Sequence, residues 1–267
     1  MNPSIYKLIR TIQSEFFFLK EAKDSLNRHR RRLLRKPHEC EFHALKFIPD
    51  YLQGSYVDIG ANQGQSIESI KVIKPGALVY SFEANQQLAA KLQVRYQGRT
   101  DVIVFPYGLS NNFKEQILFV PIYRKFVYDG DASFDRELAM ALYNSNRLFR
   151  FTSRKLKIRE LSCLVQCLDD QHIDPIFMKI DVQGFELRVI KGGLKTIKRC
   201  EPILMIERHH DQPELSQLLS SLGYEEYMFD ETGFYRGRSS STVNQLLLTR
   251  RRASEVVLSS LKDHGVA

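Results

Sequence analysis

Four carboxylates stand at or beside the ends of short apolar runs: Asp58 in SYVDIG, Glu83 in LVYSFEAN, Asp181 in IFMKID and Glu207 in ILMIE. An apolar strand that finishes on a carboxylate sets that group at the edge of a sheet, where open α/β sheets bind their ligands. Asp58 is followed by Gly60, Ala61, Asn62, Gln63 and Gly64, and small residues let backbone N–H groups come close to a ligand. Glu83 ends the next apolar run and is the residue type that accepts two hydrogen bonds from a ribose diol. The turn D-x-G-x-x-x-G has no second glycine two positions after Gly60, where a pyrophosphate needs room, so the implied ligand is a nucleoside without phosphates. S-adenosylmethionine fits, with Glu83 on its ribose and with Asp58 and the Gly60 to Gly64 backbone on its cationic tail. A tight turn of purely structural purpose is the competing reading, weakened by a second acidic strand end at this distance.

Asp181 and Glu207 would border a transfer site on the same edge, and His209 and His210 follow Glu207 directly. Methyl transfer from a sulfonium to oxygen is an in-line displacement that needs alignment first and removal of the hydroxyl proton second. An imidazole suits that base role, which places His209 ahead of His210; two exposed histidines in a loop before Pro213 is the alternative. Glu186 reads as a structural carboxylate in the first turn of a helix, and Asp169 and Asp170 as a cap and a turn residue. No spacing in the chain specifies a metal site.

Helices with an apolar rhythm separate these runs and must position them. Ile67, Ile70 and Ile73 mark a helix that stops at Pro75-Gly76, and Asn85 caps a second with Leu88, Leu92 and Tyr96 on one face. Asp101 to Phe105 is a third strand, and this alternation builds a parallel, doubly wound sheet. Between Ser110 and Cys167 the order breaks. Gln116 to Ile122 and Lys155 to Val165 read as antiparallel strands around the loop VYDGDASFD and a helix from Asp135 to about Leu148, with Leu138, Ala141, Leu142 and Tyr143 inward. An insertion of this size at a sheet edge is where a substrate pocket or lid belongs. Winding then resumes through IFMKID, one helix running from Leu187 to Ile197 across Gly192-Gly193, ILMIE, and a helix from Pro213 to Leu222. YEEYMF and VNQLLLT close the sheet as an antiparallel pair, giving seven strands, with a short helix from His43 to Leu52 before the first. If strands one, four and five are neighbours, Asp58, Asp181 and Glu207 stand side by side.

At 267 residues, 43% apolar and 26% charged, the chain has the composition of a globular α/β domain with an appendage. The expected division is a basic helical extension over 1–50, a catalytic domain over 51–252 with an insertion at about 111–166, and a tail over 253–267. Residues 1–50 hold eleven Lys and Arg against six Asp and Glu, so most of the net charge of +8 belongs to the extension. Ile5, Leu8, Ile9, Ile12, Phe16 and Leu19 give an amphipathic helix that leads into Arg28, Arg30, Arg31, Arg32, Arg35 and Lys36. It packs on the domain or a twin subunit, or residues 1–36 meet an anionic membrane surface or carrier. Nucleic acid is disfavoured as a partner because the basic residues cluster at one end. The start has no signal-peptide pattern, and no stretch approaches the roughly 18 apolar residues of a membrane span. Cys163 and Cys167 share one face of a strand as buried thiols, which points to a reducing cytosol, peripheral to a membrane if the basic helix binds lipid.

Several runs together resemble the FkbM-type S-adenosylmethionine-dependent methyltransferases: VDIGANQG (Val57 to Gly64), FEAN (Phe82 to Asn85), YGLS (Tyr107 to Ser110), CLDD (Cys167 to Asp170), KIDVQGFELRVIKGG (Lys179 to Gly193) and IE (Ile206 to Glu207). FEAN stands where the family often has FEP, which leaves Glu83 in place. The resemblance implies a class I methyltransferase fold, Rossmann-like, with Asp58, Gly60, Asn62, Gly64 and Glu83 at the cofactor and Leu109 and Ser110 of YGLS near the adenine. It also implies O-methylation of a hydroxyl on a sugar, glycan or natural product. A nucleic-acid methyltransferase and an inactive scaffold with this fold are the other readings.

Overall fold

In the computed structural model, described over residues 26, 30–31, 33–141, 143–144, 146–208, 212–238 and 242–263, short apolar runs alternate with helices as the sequence pattern demands. The strands β1 (Ser55–Ile59), β2 (Val79–Phe82), β3 (Val102–Phe105), β8 (Pro175–Ile180) and β9 (Ile203–Glu207) are parallel to one another. On the β9 side the sheet is closed by β12 (Asn244–Thr249), β10 (Tyr224–Phe229) and β11 (Phe234–Arg236), each antiparallel to its inner neighbour. The order is β11-β10-β12-β9-β8-β1-β2-β3, so winding leaves β1 toward β2 and β3 and returns on its other side at β8. A crevice opens outside the strand ends at such a reversal.

Alternation along the strands builds two cores. On one face Tyr56, Val79, Val102, Phe177, Met205 and Leu248 pack against α1 (Gln65–Ile73), α2 (Gln86–Arg95), a 3-10 helix (Cys40–Phe47) and α7 (Arg250–Asp263). On the other Val57, Ile59, Met178, Ile180, Leu204 and Ile206 meet α4 (Glu186–Gly192), α5 (Leu194–Cys200) and α6 (Pro213–Ser221). Each such side chain taken fully out of water contributes about 1.5–3 kcal/mol. The same period of two puts Asp58 in register with Ser81 and with Lys179, on the first face.

The insertion is a second sheet, β4-β7-β5-β6, built on a long antiparallel pair, β5 (Lys114–Tyr123) and β7 (Leu156–Gln166), with short edges β4 (Gly108–Leu109) and β6 (Phe126–Val127).

Several expectations are corrected. The main sheet has eight strands rather than seven, because the Gly, Arg and Ser-rich loop before residue 239 carries β11. The helix expected across Gly192-Gly193 is two, α4 and α5: a Cβ on Gly192 would lie 1.9 Å from the Ser110 carbonyl oxygen and one on Gly193 2.7 Å from Leu168, so both positions are reserved for close approach. The insertion helix, α3, is only Arg136–Ala141, and its buried side runs through Ala139 and on to Tyr143 and Leu148; Leu138 and Ala141 are exposed, and Leu142 lies outside the described residues. The element before β1 is the 3-10 helix, which ends at Phe47 rather than Leu52. Cys163 is buried, but Cys167 falls just past β7 and is only half-buried. α7 crosses residue 252 and puts Ala253 and Val256 into the core, as Phe42, Leu45 and Ile48 do ahead of the domain's expected start. The amphipathic segment Ile5 to Leu19 lies outside the described residues. Among the described residues no helix is long and apolar enough to cross a membrane.

Candidate active site

Where the strand order reverses, a cleft runs from the end of β2 to the end of β8. Its floor is Ile59, Gly60 and Asn62; Phe82, Glu83 and Ala84 form one wall, Asp181, Val182 and Gln183 the other, and Gly108 and Leu109 one side. The insertion covers it with Leu118, Asp129, Gly130, Ala132 and Phe134.

Glu83 is buried and each carboxylate oxygen takes a backbone N–H: Asn62 donates to Oε2 at 2.6 Å and Asn85 to Oε1 at 2.8 Å. Burial pushes its pKa up to about 7, against the pull of those two N–H groups. Asn85 also caps α2 through Oδ1 on the Gln87 N–H (3.1 Å), and its side-chain amide lies 3.4 Å from Asp129 Oδ1, which ties the insertion to this end of the cleft.

The glycine turn works differently from its sequence reading. Gly60 and Ala61 N–H both donate to the Phe82 carbonyl (2.9 and 3.2 Å), Asn62 N–H goes to Glu83, and Gly64 N–H to the Ala61 carbonyl (2.7 Å). These donors hold the turn onto β2 rather than facing the cleft. Gly60, at φ +89, is required because a Cβ would lie 1.9 Å from the Asp181 carbonyl oxygen; Gly64, at φ +84, lets α1 approach Leu92 of α2. What the turn does present is Asn62, at φ +49, whose side-chain Oδ1 is buried without a hydrogen-bond partner among the described residues.

Asp58 is fully buried behind the cleft and is not part of its lining. Ser81 Oγ donates to its Oδ2 at 3.2 Å, Oδ1 has no close hydrogen-bond partner among the described residues, and burial raises its pKa to about 7 against the attraction of Lys179 and the hydroxyls of Ser81 and Ser66. Of the YGLS segment, Leu109 reaches the cleft, while Ser110 is buried with Oγ 3.3 Å from Asn111 Oδ1 and Tyr107 donates to Gln171 Oε1 at 2.8 Å.

At the other end, Asp181 and Glu207 finish adjacent parallel strands and lie within hydrogen-bonding reach of each other. Gln183 Nε2 donates to both, at 2.9 Å to Asp181 Oδ1 and 2.7 Å to Glu207 Oε2. Lys179, only 1% exposed, puts Nζ 3.1 Å from Asp181 Oδ2. Burial acts to raise the Asp181 pKa, but Lys179, the hydrogen bond from Gln183 and the hydrogen bond shared with Glu207 together outweigh it, and the net shift is downward. His209 and His210 lie outside the described residues.

Glu186 is structural, as its place in the sequence suggested: Oε1 accepts from Val182 N–H (3.4 Å) and Gly184 N–H (3.1 Å), and Oε2 from Gln212 (2.8 Å). Asp169 caps a helix remote in sequence, taking the Lys195 and Thr196 N–H groups at the start of α5. Gln183 stands out by no sequence pattern, and Ser133, whose hydroxyl donates to the Gln183 carbonyl at 2.8 Å, reads in the sequence only as part of the loop VYDGDASFD. The signal available was a polar residue just before Gly184 in a turn between two acidic strand ends.

No curated protein matches the chain significantly. Among solved structures it is similar to a methyltransferase FkbM from Methylobacillus flagellatus KT, with 17% identity and a TM-score of 0.46 over 77% of this chain and 47% of that one, so it spans about half of that structure's length. It is similar also to a precorrin-6y C5,15-methyltransferase from Geobacter metallireducens GS-15, with 13% identity and a TM-score of 0.35 over 78% of this chain and 86% of that one. The family described as the methyltransferase FkbM domain matches residues 58–229, well over half of the chain, and the chain belongs to that methyltransferase family.

Proposed function

We propose that this protein transfers a methyl group from S-adenosylmethionine to a hydroxyl oxygen of a sugar, glycan or secondary metabolite. The observation that carries the reading is one cleft with two unlike ends: a backbone-held carboxylate, Glu83, at one, and at the other Asp181, joined through the Gln183 carboxamide to Glu207, which is not itself part of the cleft's lining.

The residues fit the donor. Glu83 keeps lone pairs for the two ribose hydroxyls after accepting one N–H on each oxygen. The partnerless Oδ1 of Asn62 supplies an acceptor for the ammonium of the tail, since a buried acceptor left unpaired costs about 1–3 kcal/mol until a donor arrives. Phe82, Leu109, Leu118, Ala132 and Phe134 give apolar surface for a flat base. Asp58 in this reading supports the turn from behind, beside Gly60 and Gly64.

When bound, the donor supplies an electrophilic methyl group on a sulfonium. The chain's part is to align and to take a proton: the insertion closes the cleft against water, and the Asp181–Glu207 pair borders the position where an acceptor hydroxyl would stand. His209, two residues past Glu207, is the second candidate for the proton acceptor. The family does not fix the acceptor. Contact of residues 1–36 with an anionic membrane surface or a second copy belongs to the same proposal, supported by Leu26, Leu33 and Leu34 standing exposed beside Arg30, Arg35 and Lys36.

Calorimetric titration of S-adenosylhomocysteine into wild type and Glu83→Ala tests the donor site, with an expected loss of about 10–100-fold in the variant. No binding to wild type ends the reading. Incubation with labelled methyl donor and fractionated glycans and lipids then tests the acceptor class.

A further inference from the structure

Gln183 occupies a conformation that its side chain does not favour. Its φ is +48, in the left-handed region that costs a residue with a Cβ roughly 1–2 kcal/mol, and it is followed by Gly184 at φ +95. Such strain persists where surrounding contacts over-determine it, and here they do so from both sides. From below, Glu186 Oε1 takes the N–H groups of Val182 and Gly184. From above, Ser133 donates its hydroxyl to the Gln183 carbonyl. Ser133 is itself fixed, 1% exposed, by a backbone pair with Phe119 (2.8 and 3.1 Å) in the insertion sheet. The product of this arrangement is the aim of one carboxamide, with its nitrogen on Asp181 and on Glu207 together.

The charges around the pair explain why that matters. Lys179 is the one cation among the described groups facing Asp181, set against Asp58 from β1, Glu207 from β9 and Glu39 from the segment before the 3-10 helix. From β12 the neutral Asn244 faces this edge, holding Glu39 Oε2 at 3.0 Å. Two carboxylates within hydrogen-bonding reach retain a shared proton unless donors stabilise both charges. Lys179 serves Asp181; the two N–H bonds of the Gln183 carboxamide serve Asp181 and Glu207 together.

We propose that Gln183 is the positioning residue that holds Asp181 and Glu207 open as a single proton acceptor, and that Ser133 makes this depend on the insertion being seated over the cleft. Asp129, Gly130, Ala132 and Phe134, which flank Ser133, line the same cleft that Glu83 enters. A ligand that seats these residues therefore also sets the Gln183 carbonyl. The inference rests on the methyl-transfer reading: the hydroxyl proton passes to the pair, the O–C bond forms as the S–C bond breaks, and the electron pair of that bond stays on sulfur as the neutral thioether.

The test uses the full chain with 13C-labelled Asp and Glu carboxyls, and S-adenosylhomocysteine as probe. The Asp181–Glu207 resonances are titrated by NMR in wild type, Gln183→Leu and Ser133→Ala, and probe affinity is measured on each. Loss of the carboxamide raises the midpoint of the pair by about one pH unit or more, and Ser133→Ala raises it by less in the same direction. A midpoint in Gln183→Leu within about 0.3 unit of wild type, in protein that still binds the probe, overturns the proposal. If Gln183→Leu does not fold, Ser133→Ala decides, and an unmoved midpoint there overturns it too. A shifted midpoint in protein whose wild type does not bind the probe supports the carboxyl pair and removes methyl transfer as its purpose, so the two readings fail separately.

Discussion

The two ends of the cleft carry carboxylates that burial treats alike and their neighbours treat differently. At the β2 end, Glu83 is held by two backbone N–H groups and, among the described residues, by no cation, and its pKa rises to about 7. At the β8 end, Asp181 has the Lys179 ammonium 3.1 Å away and two further hydrogen bonds, and its pKa falls. Neutral dipoles do not offset desolvation at Glu83, whereas at Asp181 a buried cation does so together with the hydrogen bonds of Glu207 and Gln183. The first end is therefore poised to change protonation when a ligand arrives; the second stays charged and ready to accept a proton.

Removing the cation breaks the comparison most severely. Lys179→Met leaves Asp58, Asp181 and Glu39 without the buried ammonium near them, and breaking a buried pair in this way costs about 3–5 kcal/mol. The lower figure applies because the Asp181 side chain keeps 35% of its surface in water. Thermal unfolding should move down by about 6 °C or more. Methyl transfer at pH 7 should fall by about 100-fold as Asp181 takes up a proton. Unchanged stability would mean the ammonium is not what holds this end ionised.

A pH series sharpens the contrast without mutation. Ribose hydroxyls are accepted by ionised Glu83, so affinity for S-adenosylhomocysteine should drop by about tenfold between pH 8 and pH 6 as Glu83 protonates near 7. Asp181, shifted downward, contributes nothing to that drop. The stability consequence has the opposite sense. Asp58 and Glu83 have folded-state pKa values above their unfolded ones, so between pH 4 and 7 the folded chain binds more protons and stability declines as pH rises through 7. Each group adds a slope of up to about 1.4 kcal/mol per pH unit. Asp58→Asn should remove its share: a small gain over wild type at pH 5 and a larger one at pH 8, measured by urea unfolding at both.

The sequence made the first end of the cleft more legible than the second. Apolar runs ending in Asp58, Glu83, Asp181 and Glu207 gave the strands, their parallel order and the edge on which the carboxylates gather, because strand periodicity and helix punctuation are local signals. The direction of the glycine turn's N–H groups was not local: it depends on the Phe82 carbonyl one strand away. Gln183 escaped notice for the same reason, since its role exists only once β8, β9 and the insertion meet. The eighth strand was hidden because β11 is three residues long, two of them exposed, within a run that reads as a loop. Gly192-Gly193 falls inside one helix on the apolar pattern alone, although the close approach of Ser110 and Leu168 is what both glycines serve.

A third carboxylate provides the control, with the smallest effect. Asp169 lies away from the cleft and accepts the Lys195 and Thr196 N–H groups at 3.1 and 2.8 Å, two of the orphan donors at the start of α5. Asp169→Ala should cost about 1 kcal/mol, the usual worth of a capping oxygen, and lower the unfolding midpoint by about 2–4 °C. Affinity for S-adenosylhomocysteine and its dependence on pH should be those of wild type, because α5 packs against the sheet face opposite Asp58 and Lys179. A changed pH profile in this variant would show that stability alone moves the carboxyl groups of the cleft, and the distinction between its two ends would then rest on packing rather than on Lys179.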